Sequence, residues 1–223
     1  MTTTARTSTE TLAILLQVGV IPVVRSDSAE VAIRVTEVLI EAGLPIAEIT
    51  LTVPNAIDVI SKLARRTGAE RILIGAGTVI DAEGARSAIR AGAEFIVSPG
   101  VVPDVIEAAK AAGVPVISGA LTPTEILAAT RAGADLIKVF PIKSLGGASY
   151  IRALRGPFPD LPLIPTGGVD LNNVADFIRA GATAVGVGSE LVPREVLASG
   201  NYQSIAARAE RFVTAVAHAR RTV

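Results

Sequence analysis

Cysteine is absent from the 223-residue chain, and histidine occurs once, at His218. The first absence excludes disulfides, thiolate nucleophiles and cysteine-ligated metals. His218 lies in an Arg-rich helical pattern near the C-terminal end, which argues against a histidine-based triad and a multi-histidine metal site. No metal or other cofactor is therefore expected. Aromatic residues make up 3% of the chain, with no aromatic-and-basic stripe on which nucleic-acid bases could stack. Lys+Arg and Asp+Glu both total 21, so no net field recruits nucleic acid or an anionic membrane. No apolar run is long enough to span a bilayer. The opening "MTTTARTSTE" is polar and lacks an apolar segment behind a basic one, so residues 1–8 are expected to form a loose tail on a cytoplasmic protein.

What the chain does have is apolar surface to bury: half its residues are hydrophobic and 19% are charged. This composition suits one large globular domain over residues 1–223. Within it a unit repeats, made of a short β-branched run, a Gly/Pro/Thr-rich turn and an Ala-rich helical pattern. "VIPVVR", "IAEITLTV", "RILIGAGTV", "EFIVSPG", "VPVISGA", "DLIKVFP", "LPLIPTGGV" and "AVGVGSELV" are the eight runs. The helix closings "RAGAEFI", "KAAGVPVI", "RAGADLI" and "RAGATAV" each place glycine just past a helix end before a strand begins. Eight such units without a linker predict an α/β fold, a (β/α)8 TIM barrel of parallel strands. A doubly wound open sheet is the alternative. "TSTETLAILLQVG" predicts an extra N-terminal helix covering the barrel bottom.

Residues at the C-terminal ends of barrel strands face the active-site mouth. In "GADLIKVFPIKSLGG", Lys138 interrupts an apolar strand, sharing a face with Leu136 and Phe140 while Ile137 and Val139 point the other way. The chain has four lysines. Lys62 and Lys110 lie in amphipathic helix patterns, and Lys143 follows the strand in a loop. Burial disfavours the ammonium form, which suits an amine nucleophile able to form a Schiff base; a structural ion pair is the other reading. Glu48 is the matching anomaly, sharing a polar face with Thr50 and Thr52 in strand two. Strands two and six can feed one interior layer from opposite walls, so Glu48 can meet Lys138 as a proton shuttle or as a counter-ion. Gly167 and Gly168 after strand seven, with Gly188 and Ser189 after strand eight, suit close backbone approach to a phosphate; "GG" alone is more often a tight turn. Arg25 ends strand one as an anion clamp or a rim ion pair. Thr78 and Ser98–Pro99 also lie at the mouth, where turn chemistry would equally place them.

Taken together, "EITLTVP", "GAGTV", "FIVSPG", "IKVFP", "GPFPDLPLIPTGGV" and "AVGVGS" resemble the 2-keto-3-deoxy-6-phosphogluconate (KDPG) aldolase / 4-hydroxy-2-oxoglutarate aldolase family, in order from about Gly19 to about Val192. The resemblance implies Lys138 as the Schiff-base lysine and Glu48 as the acid/base. It implies Arg25, Thr78, Pro99 and Phe140 around the substrate, with phosphate on Gly167, Gly168 and Ser189. Thr52 is expected at the substrate site too, where many members carry an arginine, which leaves anion recognition more dependent on Arg25. The activity implied is class I cleavage of a phosphorylated 2-keto-3-deoxy sugar acid, releasing pyruvate, without metal, by a homotrimer of the Entner-Doudoroff pathway. Hydroxy-oxoglutarate or the galactonate-derived epimer is the same-fold alternative substrate. A non-catalytic sugar-phosphate-binding or assembly-forming barrel is the alternative of a different class.

Overall fold

The computed structural model describes residues 6–66 and 71–222. Eight parallel strands run through it: β1 (Val20–Val24), β2 (Ile46–Thr50), β3 (Leu73–Gly77), β4 (Phe95–Val97), β5 (Val116–Ala120), β6 (Leu136–Val139), β7 (Leu163–Pro165) and β8 (Val185–Val187). Each pairs with its sequence neighbours, and β8 pairs with β1 through Val20 and Val185. The remaining seam closes where Thr166 bridges Gly186 and the Thr183 N–H donates to the Leu163 carbonyl at 3.0 Å. An open sheet is thereby excluded. The result is a TIM-barrel-like fold.

The helices are α1 (Ser8–Val18), α2 (Ala29–Glu41), α3 (Ala56–Ala64), α4 (Ala82–Arg90), α5 (Pro103–Ala111), α6 (Pro123–Arg131), α7 (Ala148–Arg155), α8 (Val174–Arg179), α9 (Arg194–Ser199) and α10 (Gln203–Arg221). Their starts follow local chemistry. Thr122 and Glu125 form a capping box ahead of α6 with Pro123 in the first turn, and the Asp81 carboxylate accepts from the Gly84 N–H at 2.7 Å ahead of α4. The repeated closings end as their glycines permit: Gly92, Gly113, Gly133 and Gly181 all have positive φ. A side chain there would strain the backbone between helix and strand.

Alternation along the strands divides the core in two. Ile21, Ile46, Leu73, Phe95, Ile117, Leu136 and Ile164 fill the barrel interior, where Leu15 of α1 joins them. Ala47, Ile49, Ile74, Ile137 and Val139 face outward against the helices. Helix α1 thus plugs the bottom of the barrel, as expected. Burying Leu15 alone contributes about 2 kcal/mol. The Arg220 guanidinium locks the plug by donating to the carbonyls of Leu16, Gln17 and Thr183.

The expected loose tail needs correction at its end. Thr7 caps α1 in a capping box with Glu10, and Arg6 pairs with Glu94 at 2.6 Å, so residues 6–8 are held. Residues 1–5 lie outside the described residues. The strands are also shorter than the runs that mark them, because β4, β7 and β8 leave extended geometry after three residues.

Candidate active site

Lys138 and Glu48 enter the barrel by the same alternation that sorts the core. Lys138 follows interior Leu136 by two residues in β6, and Glu48 follows interior Ile46 by two in β2. Their side chains meet, with Nζ 3.7 Å from Oε1 and only 10% and 3% exposure respectively. That separation is an ion-pair distance, longer than a hydrogen bond. Glu48 Oε1 has no hydrogen-bond partner among the described residues. Burial pushes the Glu48 carboxyl above its ordinary range, against the pull of Lys138 and then Arg25.

The glycines of "GAG" explain why this carboxylate fits. A Cβ on Gly75 would collide with the Phe95 ring, and one on Gly77 would collide with the Glu48 carboxylate. The motif therefore shapes the interior of the barrel as well as a turn. Next to it, Thr78 has a φ of 56°, a strained conformation for a β-branched residue, at the wall of the cavity.

Above the pair opens a cavity of about 350 Å³, which Arg25, Thr78, Pro99, Lys138, Phe140, Gly167, Gly168, Gly188 and Ser189 all line. The Phe140 ring centroid is 5.3 Å from Lys138 Nζ, a cation–π distance. Ser98 separates from Pro99: it is fully buried, its hydroxyl donates to the Gly100 carbonyl, and it serves the turn. In the loop after β7, Asn173 donates to the Gly168 carbonyl at 2.9 Å and Asp170 accepts from the Asn172 and Asn173 N–H groups. After β8, the Gly188 carbonyl accepts from Leu191 and Val192. No hydrogen bond among the described residues uses the N–H of Gly168, Gly188 or Ser189, so these donors remain open to an anion.

A cavity at the C-terminal face of a parallel barrel, with a buried lysine in its wall, a carboxylate paired to that lysine and open backbone donors at its rim, suits Schiff-base chemistry on an anionic carbonyl compound. Residues 12–208 match the family model described as KDPG and KHG aldolase. The chain belongs to that family. Its members are aldolases, carbon–carbon lyases, and this chain is an enzyme of that class. It is 35% identical over 202 residues to 2-dehydro-3-deoxy-phosphogluconate aldolase of Treponema pallidum, covering 91% of this chain and 95% of that one. It is 31% identical to the KHG/KDPG aldolase of Escherichia coli K12, over 93% and 96% of the two chains. Among solved structures, KDPG aldolase from Legionella pneumophila, with pyruvate captured as a covalent carbinolamine intermediate, superimposes with a TM-score of 0.81 at 30% identity. That match covers 90% of this chain and 96% of the other.

Thr52 departs from its expected place in this aldolase. Strand β2 ends at Thr50 and the chain turns, with the Val53 N–H donating to the Thr50 carbonyl, so alternation no longer governs Thr52. The Thr52 hydroxyl contacts that of Thr50 at 2.9 Å, and the residue lines a neighbouring depression instead of the main cavity. Lys143 does not line the cavity either. Its backbone N–H donates to the Gly167 carbonyl at 3.2 Å, and its stem packs so closely on Gly168 that a Cβ there would sit 2.5 Å from Cδ.

Thr166, Glu190 and Arg194 also line the cavity and escaped the sequence reading. Thr166 was within reach, since it directly precedes Gly167 in the loop already singled out. Arg194 carries no such signal. It opens a helix after β8, and only the fold turns it towards the mouth.

Proposed function

We propose that the enzyme cleaves 2-keto-3-deoxy-6-phosphogluconate to pyruvate and glyceraldehyde 3-phosphate by a class I mechanism. The observation that carries this reading is Lys138, which lines the cavity and pairs with the buried Glu48 behind it. Lys138 first passes its proton to Glu48, and the neutral Nζ adds to the C2 carbonyl to give a carbinolamine, from which loss of water gives the iminium. Glu48, through a bridging water, supplies the proton that lets hydroxide leave as water. The C4 hydroxyl then gives its proton to the carboxylate as the C3–C4 bond breaks, and the bonding electrons move into the iminium to form an enamine. Glyceraldehyde 3-phosphate departs, the Glu48 carboxyl returns that proton to C3 of the enamine, and water hydrolyses the pyruvate iminium to free Lys138.

Several features support these assignments. Burial raises the Glu48 carboxyl above its ordinary value, which favours its protonated form relative to an exposed carboxyl and suits a group that gives and takes protons. Arg25, Thr78, Pro99 and Phe140 surround the keto acid, and Gly167, Gly168, Gly188 and Ser189 receive the phosphate. The family resemblance extends the proposal to a cytoplasmic homotrimer of the Entner-Doudoroff pathway. Among the described residues, no helix is long and apolar enough to cross a membrane.

A second substrate, 4-hydroxy-2-oxoglutarate, is favoured by the double name of the E. coli relative. Pyruvate release from the phosphorylated acid, from its galacto epimer and from hydroxy-oxoglutarate, with and without EDTA, tests the reading. The phosphorylated gluconate acid is expected to have the highest kcat/KM, unchanged by chelator. Preference for hydroxy-oxoglutarate would overturn the substrate assignment, and activity that EDTA abolishes and divalent metal restores would overturn the mechanism.

A further inference from the structure

Two hollows meet at one guanidinium. Arg194 lines both the active-site cavity and an adjacent depression of about 510 Å³, and Arg25 is the other residue that lines both. Neither arginine makes an ion pair or a side-chain hydrogen bond among the described residues. Glu190 lines the same cavity without pairing to Arg194. Helix stability does not account for Arg194, because it occupies the first position of α9 behind Pro193, where a cation opposes the helix dipole.

Both cations are exposed, but they face different parts of the site. Arg25 is close enough to Glu48 to favour its ionised form, which puts it near the reacting carbons. Arg194 is exposed at the mouth, on the same side as exposed Ser189. A linear keto acid with C2 at buried Lys138 has its C1 carboxylate at depth and its far end at the mouth. The far end is where a distal phosphate sits, and a guanidinium binds phosphate through paired, charge-assisted hydrogen bonds.

We propose that Arg194 is a specificity-determining residue that selects substrates bearing a distal phosphate, closing on the anion from α9 opposite the Gly168, Gly188 and Ser189 backbone donors. The proposal rests on the aldolase reading above. It adds a side-chain cation to a subsite otherwise built from uncharged donors.

The test compares kcat/KM for the phosphorylated keto-deoxy acid and its unphosphorylated counterpart in wild type, Arg194→Ala and Arg194→Lys, with borohydride trapping of pyruvate on each. Arg194→Ala is expected to lower the phosphorylated-to-unphosphorylated ratio by about tenfold or more, the usual worth of a charged hydrogen bond. The loss should fall on KM, pyruvate trapping should persist, and lysine should restore part of the ratio. Inorganic phosphate should also inhibit the alanine variant more weakly than wild type. A ratio within about twofold of wild type in a variant that still traps pyruvate would overturn the proposal and leave the aldolase reading intact. A wild-type enzyme that traps no pyruvate would remove that reading and this proposal together.

Discussion

Glu48 Oε1 lies 3.7 Å from Lys138 Nζ and accepts no hydrogen bond among the described residues, so one atom of a buried carboxylate faces the amine. Burial raises the Glu48 carboxyl against the pull of Lys138, which brings the two protonation states of the pair closer together and suits proton exchange with a bound substrate. Glu48→Gln keeps the shape but cannot cycle a proton, so kcat should fall by roughly 10²–10⁴. Steady-state kinetics check this, and wild-type turnover in the variant would reduce Glu48 to a counter-ion.

The elevated Glu48 carboxyl also makes a prediction about stability. Burial raises its folded-state value above the ordinary 4.5 despite Lys138 and Arg25. Below the ordinary range the group is protonated whether the chain is folded or not, and no penalty arises. As pH rises through the folded value, the native state must ionise a buried group and loses stability relative to the unfolded chain. The Tm of Glu48→Gln minus that of wild type should therefore increase with pH from about 4.5 upward. A difference that shrinks over that window would mean that Lys138 outweighs desolvation.

Gly77 offers a way to move Glu48 without changing it. A methyl there meets the Glu48 carboxylate, the movable end of a side chain, and Gly77 has no positive φ to strain. Gly77→Ala should keep the fold but displace the carboxylate from Lys138, lowering kcat by about tenfold or more at similar KM. Unchanged kcat would show that proton transfer tolerates a misplaced acid.

The loops after β7 and β8 separate backbone strain from lost access. Gly188 has ordinary φ, and its added Cβ would meet only Val23 at 3.9 Å, so Gly188→Ala puts a methyl into the cavity without distorting the chain. KM for the phosphorylated acid should rise several-fold with little change in Tm. Gly168 has φ of 81° and the Lys143 stem against it, so Gly168→Ala should also cost about 1–3 kcal/mol of stability, visible on thermal melting. Equal KM effects on phosphorylated and unphosphorylated acids at Gly188 would remove these loops from phosphate recognition.

Where alternation or a repeated turn governs position, the sequence was legible. The closings at Gly92, Gly133 and Gly181 announce the strand–helix unit, and period-two patterning puts Lys138 and Glu48 inside the barrel because their strands stay extended through them. Thr52 was misplaced for the complementary reason: the strand stops at Thr50, and the pattern says nothing of where an extended run ends. Ser98 and Pro99 are adjacent in sequence yet take different roles, one hydrogen-bonded in a turn and one lining the cavity. Arg194 was invisible because its approach to Arg25 depends on how the segments after β8 and β1 meet in space. No local propensity encodes that meeting.

The central claim is that Lys138 carries the carbon skeleton of the substrate as an imine. Incubation of wild type with pyruvate and borohydride, followed by peptide mass mapping, tests it most directly. The account predicts a reduced pyruvate adduct on the peptide carrying Lys138, absent from Lys138→Ala and formed slowly but at the same site in Glu48→Gln. An adduct that persists in Lys138→Ala, with Lys143 the first residue to inspect, would contradict it.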